Sequence, residues 1–108
     1  MSKVTTHVLD TAHGMPAAGI PVTLTDAAGT ILAQKVTDAD GRVKELGPDE
    51  LAAGPYTLTF ETARYYELIE LETFYPRVTI DFTIVDPDEH FHVPLLLAAF
   101  GYSTYRGS

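Results

Sequence analysis

Two histidines two residues apart, His90 and His92, precede an apolar run, Val93-Pro94-Leu95-Leu96-Leu97, and the chain closes on Tyr105-Arg106-Gly107-Ser108. A third histidine, His7, stands near the start, and Arg42 follows Asp40-Gly41 in the middle. A neutral imidazole titrates near pH 7 and can take a proton from water. A guanidinium can hold a developing oxyanion and disfavours the protonated form of an imidazole beside it. These are the residue types in the sequence that could carry chemistry, and all stand on predicted strands or at a strand entrance. On the residues alone other readings stay open. His90 and His92, with His7 as a third ligand, would suit zinc. Taken singly, His7 reads as a surface residue near a strand end and Arg42 as a solvated cation. His13, beside Gly14, has no partner that the sequence names.

The elements that must position these groups are strands. Val4, Thr6 and Val8 alternate with Thr5, His7 and Leu9, which predicts a strand with His7 opposite the valine face. Residues 10–19 read as a loop, and Ile20, Val22 and Leu24 open a second strand. Ala27-Ala28-Gly29 turns into a third over residues 30–37. Asp38-Ala39-Asp40-Gly41 is a turn, with glycine for positive φ and aspartate to bond the backbone that follows, so Arg42 stands at a strand entrance. A short strand over residues 43–46 and an alternating one through Tyr56, Leu58 and Phe60 come next. Helical spacing of Tyr65, Leu68 and Ile69 predicts one helix over residues 62–71, with Thr62 as N-cap. Strands over residues 78–84, 91–98 and 102–106 complete the chain. Spacing of two puts His90, His92, Pro94 and Leu96 on one face, with Val93, Leu95 and Leu97 left to fill the core. Seven to eight short strands and one helix make an all-β sandwich.

The 108 residues are expected to form one domain, 1–108. There is no cysteine, which excludes thiol chemistry. Net charge is -8, with seven Lys+Arg against fifteen Asp+Glu, and so acidic a surface argues against nucleic acid as a partner. The opening residues lack the apolar core of a leader peptide, and no apolar run approaches the roughly 20 residues of a membrane helix. A soluble cytoplasmic protein with no membrane partner is the expectation. Phe100, Tyr102 and Tyr105 lie close to the carboxyl end, which points to a terminus buried in a contact.

The segment His90-x-His92-Val93-Pro94-Leu95-Leu96-Leu97 leading into Tyr105-Arg106-Gly107-Ser108 resembles the 5-hydroxyisourate hydrolase branch of the transthyretin-related family, as do Thr6-His7-Val8-Leu9-Asp10 and Asp40-Gly41-Arg42. The resemblance runs nearly end to end, and the terminal tetrapeptide separates the enzymes from the hormone carriers of the same fold. It implies a prealbumin-like sandwich of two four-stranded sheets and a homotetramer with sites at the dimer–dimer interface. The implied reaction opens 5-hydroxyisourate to 2-oxo-4-hydroxy-4-carboxy-5-ureidoimidazoline, with no metal and no cofactor. The implied site consists of His7, Arg42 and His92, with Tyr105, Arg106, Gly107 and Ser108 contacting the substrate. One departure is Ala98-Ala99-Phe100, where family members often carry Ser-Pro-Tyr. The glycine, proline and apolar pattern of the first half is equally similar to prealbumin-like accessory modules that only bind or space. The histidines and the ending tell against those modules, and against a small-ligand carrier.

Overall fold

The computed structural model describes residues 2–108 as two stacked sheets and one helix. In the first sheet, β1 (Val4–Asp10) runs parallel to β8 (Phe91–Ala98), and β9 (Gly101–Thr104) pairs antiparallel with β8. The other edge of β1 is shared by two short strands, β2 (Met15–Pro16) and β5 (Arg42–Val43). The second sheet has the order β4 (Ile31–Val36), β3 (Pro21–Asp26), β6 (Gly54–Phe60), β7 (Val78–Ile84), all antiparallel.

Alternation decides which side chains meet between the sheets. Val4 and Val8 of β1 and Val93, Leu95 and Leu97 of β8 face Val22, Leu24, Leu58, Phe60 and Ile84 in one core. Burial of each such side chain is worth roughly 2 kcal/mol, so the alternating sets anchor the register. The opposite faces of β1 and β8 carry Thr5, His7 and His92, all half-buried.

Several elements depart from the expected bounds. The helix α1 (Thr62–Leu68) is shorter and is capped by Glu61, not by Thr62. Thr62 is buried, and its hydroxyl donates to the Tyr75 carbonyl at 3.0 Å. The helix ends where Glu70 turns left-handed (φ 57°), with Leu71 N–H on the Tyr66 carbonyl and Glu70 N–H on that of Glu67. That stop lacks its usual glycine and so left no mark in the sequence. Tyr66 is buried in place of Leu68, which is 70% exposed. The strand expected at residues 43–46 contracts to Arg42–Val43; Leu46 is buried outside the ladder. β2 arises within the expected loop. The last strand begins at Gly101 and ends at Thr104, after which Gly107 alone rejoins β8 opposite His92.

Candidate functional site

One register gathers the groups. Thr5 lies opposite His92 across the β1–β8 pairing, and His7 lies opposite Arg42 across β1–β5. Opposed residues of paired strands point to the same side, so Thr5, His7, Arg42 and His92 share the outer face of the first sheet. Residues far apart in the chain thereby meet around an open hollow of about 410 Å³, lined by Thr5, Arg42, His90 and His92 among others.

Each member is held by its backbone. Asp38 Oδ1 accepts the amides of Asp40 and Arg42 at 2.9 and 3.0 Å, closing the turn before β5. The Arg42 amide, foremost, keeps the Asp38 carboxyl below the usual carboxylate range. Gly41 adopts φ +74°, and its carbonyl accepts Val8 N–H at 2.7 Å. A Cβ there would fall 2.3 Å from the Val8 carbonyl oxygen, so only glycine permits this approach. The turn thus aims the Asp40 carbonyl at His7, whose Nε2 donates to it at 2.8 Å. A carbonyl only accepts, so neutral His7 carries its proton on Nε2 and its lone pair on Nδ1.

His92 is fixed from two sides. Its carbonyl accepts Gly107 N–H at 2.8 Å, and a Cβ on Gly107 would sit 2.6 Å from His92 Cδ2. The ring therefore packs on the backbone of the terminal segment. Its Nδ1 bonds Thr5 Oγ1 at 2.8 Å, and the same hydroxyl bonds His90 Nε2 at 2.9 Å. Burial, then the charges of Arg42, His7 and His90, push the His92 pKa below the ordinary imidazole value. His92 is accordingly neutral at pH 7 and leaves Nε2 free to act.

The terminal tetrapeptide divides. Gly107 lies against His92, and Ser108 follows it, exposed. Arg106 turns away from the imidazoles: its guanidinium donates to Glu89 at 2.9 Å and to the His90 carbonyl at 3.3 Å, and lies 4.4 Å from the centre of the Phe91 ring. Tyr105 lines, with Arg106, a separate hollow of about 280 Å³ beside Phe82, Phe91 and Val93. Thr5 was missed by sequence reasoning, although it shares the alternating face of His7. The Asp40 carbonyl was not foreseeable, because a backbone acceptor has no residue signature. His13 has a partner in Asp10, 2.7 Å from its Nδ1, and this pair stands apart from the imidazole face. Among the described residues no cluster of three or more His, Asp or Glu side chains is arranged to hold a metal ion.

The HIUase/Transthyretin family model matches residues 4–107. A 5-hydroxyisourate hydrolase of Salmonella dublin is 47% identical over 106 residues, covering 94% of this chain and 78% of the relative. The solved structure of Klebsiella pneumoniae 5-hydroxyisourate hydrolase superposes with a TM-score of 0.89 at 43% identity, covering 97% of this chain and 98% of that one. Transthyretin from Sparus aurata superposes equally well, at 0.91 over 99% and 97% of the two chains, with only 26% identity.

Proposed function

The chain belongs to the HIUase/Transthyretin family, and from that premise we propose that it hydrolyses 5-hydroxyisourate, a step of urate degradation. The observation that carries this reading is the shared outer face of His7, Arg42 and His92, with Gly107 against the last of them. Fold similarity alone does not separate hydrolase from carrier, since both superpose equally well.

In the reaction, water adds to the lactam carbonyl of the planar substrate. His92 is the base, because its environment keeps the imidazole unprotonated at neutral pH. His7, locked by the Asp40 carbonyl, offers Nδ1 as an acceptor that orients the water. Arg42 stabilises the oxyanion formed from the carbonyl. Gly107 lets the substrate approach the backbone, and Ser108 offers a hydroxyl to the ring's polar edges. Tyr105 completes the rim from across an interface, and Arg106, clamped by Glu89 and Phe91, holds the terminus onto β8.

The working unit is a homotetramer with the sites at the dimer–dimer interface. Phe100 and Tyr105, 67% and 58% exposed in one chain, support such burial on assembly. Among the described residues no helix is long and apolar enough to cross a membrane. The test is spectroscopic: hydroxyisourate made from urate by a urate oxidase loses its absorbance slowly, and this protein should accelerate the loss. Unchanged decay at micromolar protein would sink the reading. Light scattering should report four chains per particle, and a stable monomer would refute the shared site.

A further inference from the structure

Thr5 is placed on the imidazole face with one hydroxyl and two ring nitrogens to satisfy. Its Oγ1 lies 2.9 Å from His90 Nε2 and 2.8 Å from His92 Nδ1. A hydroxyl has one proton, so when it donates to one ring it accepts from the other, and the two imidazole tautomers are coupled. We propose that Thr5 and His90 form a proton relay serving His92: His92 Nδ1–H donates to Thr5 Oγ1, Thr5 O–H donates to His90 Nε2, and His92 Nε2 keeps the lone pair that meets the attacking water. The relay deepens the hydrolase reading and rests on it.

The surroundings choose this direction. His92 has spent Nδ1 on Thr5, so Nε2 is its one nitrogen available to substrate, and it can act as a base only if the ring proton stays on Nδ1. Arg42 lines the same hollow, and a cation favours a lone pair over an N–H facing it. The same cation opposes an imidazolium at His92, whereas His90 is exposed and a charge there is hydrated.

The proton movements balance. The water oxygen bonds to the lactam carbon as one water proton bonds to His92 Nε2. The Nδ1 proton passes to Thr5 Oγ1, and the Thr5 hydroxyl proton passes to His90 Nε2. His92 is then neutral with its proton on Nε2, and the positive charge sits on His90. When the carbon–nitrogen bond breaks, the leaving nitrogen keeps the electron pair and takes the proton from His92 Nε2. The proton on His90 returns through Thr5 to His92 Nδ1 and the base is restored. Thr5 and His90 touch no reacting atom, so they are positioning residues.

Steady-state kinetics of Thr5→Val, Thr5→Ser, His90→Gln and the Thr5→Val/His90→Gln double variant test the relay, together with ¹⁵N spectra of the imidazoles. Thr5→Val and His90→Gln should each lower kcat about tenfold to a hundredfold with KM within about twofold, and Thr5→Ser should recover most of the rate. The double variant should be no slower than the slower single one, because one relay is broken once. In the wild type at neutral pH the spectra should show His92 protonated at Nδ1 and bare at Nε2. His90 is exposed, so His90→Gln carries the kinetic test should Thr5→Val misfold. Wild-type kcat in His90→Gln, losses that multiply in the double variant, or an unprotonated His92 Nδ1 would each overturn the relay. An inactive wild type would overturn the hydrolase reading instead, and the spectra would still decide whether the tautomers are coupled.

Discussion

β1 carries polar clusters at two places, and they use similar groups to opposite ends. Around Thr5 and His7 the imidazoles stand on an outer face beside a guanidinium, and His92 is held neutral. At the far end of the strand Asp10, 1% exposed, accepts the Tyr65 hydroxyl at 2.6 Å, the His13 ring at 2.7 Å and the His13 amide at 3.0 Å. Burial pushes the Asp10 carboxyl up, but these bonds and the His13 charge together bring it below its ordinary value. Burial and the Asp10 charge push the neighbouring Tyr66 phenol up to about 12. A satisfied buried anion ties helix α1 to the first sheet, whereas half-buried imidazoles facing a cation keep a nitrogen free. The lesson is that hydrogen-bond saturation, more than residue type, separates the structural cluster from the reactive one.

That contrast is broken most strongly by removing the reactive groups. His7→Ala, Arg42→Ala and His92→Ala should each lower turnover on the order of a hundredfold or more, while circular dichroism and melting stay close to wild type. A His92→Ala protein with full turnover would dismiss that residue from the reaction. Asp10→Ala should do the reverse, costing about 3 kcal/mol of stability because the buried Tyr65 hydroxyl loses its acceptor, with the folded fraction keeping its activity. Urea titration measures the cost. The folded Asp10 pKa lies below the unfolded one, so its contribution is present above the unfolded value near 3.8 and is lost as pH falls through the folded value. The stability gap between wild type and variant should therefore narrow in strong acid, where a neutral carboxyl still accepts the Tyr65 hydroxyl.

Gly107→Ala sharpens the comparison from the terminal side. Its Cβ would strike the anchored His92 ring, so kcat should fall about tenfold with little change in melting temperature. A smaller effect concerns pH. His92 works unprotonated and its pKa is lowered, so the acid limb of kcat/KM should lie below the ordinary imidazole value of 6.5. Burial is the main cause and Arg42 the next, so Arg42→Gln should move the limb upward, by less than the full depression, in whatever activity remains. The smallest change is expected for His13→Gln. The ring is 45% exposed, and its loss should cost under about 1 kcal/mol.

Much of this was legible in the residues. Strict alternation in β1, β7 and β8 gave their bounds closely, and the Asp38-to-Gly41 turn announced itself through an aspartate that bonds the following amides and a glycine at positive φ. The helix end was not legible, because Glu70 takes a left-handed conformation without the glycine that would advertise it. Nor were the contacts of Arg106 with Glu89 and Phe91 legible, because they depend on how the terminal segment returns to β8.

Period and composition determined that this chain would be an acidic, cysteine-free sandwich with His7, His90 and His92 on outward faces, since the side-chain period of a strand is local. Only the tertiary structure decided that Thr5 would face His92, Arg42 face His7, and Gly107 close on the imidazole. Those meetings depend on which strands pair, in which direction and in what register. Strand pairing is fixed by burial of the whole core and by no single segment of it.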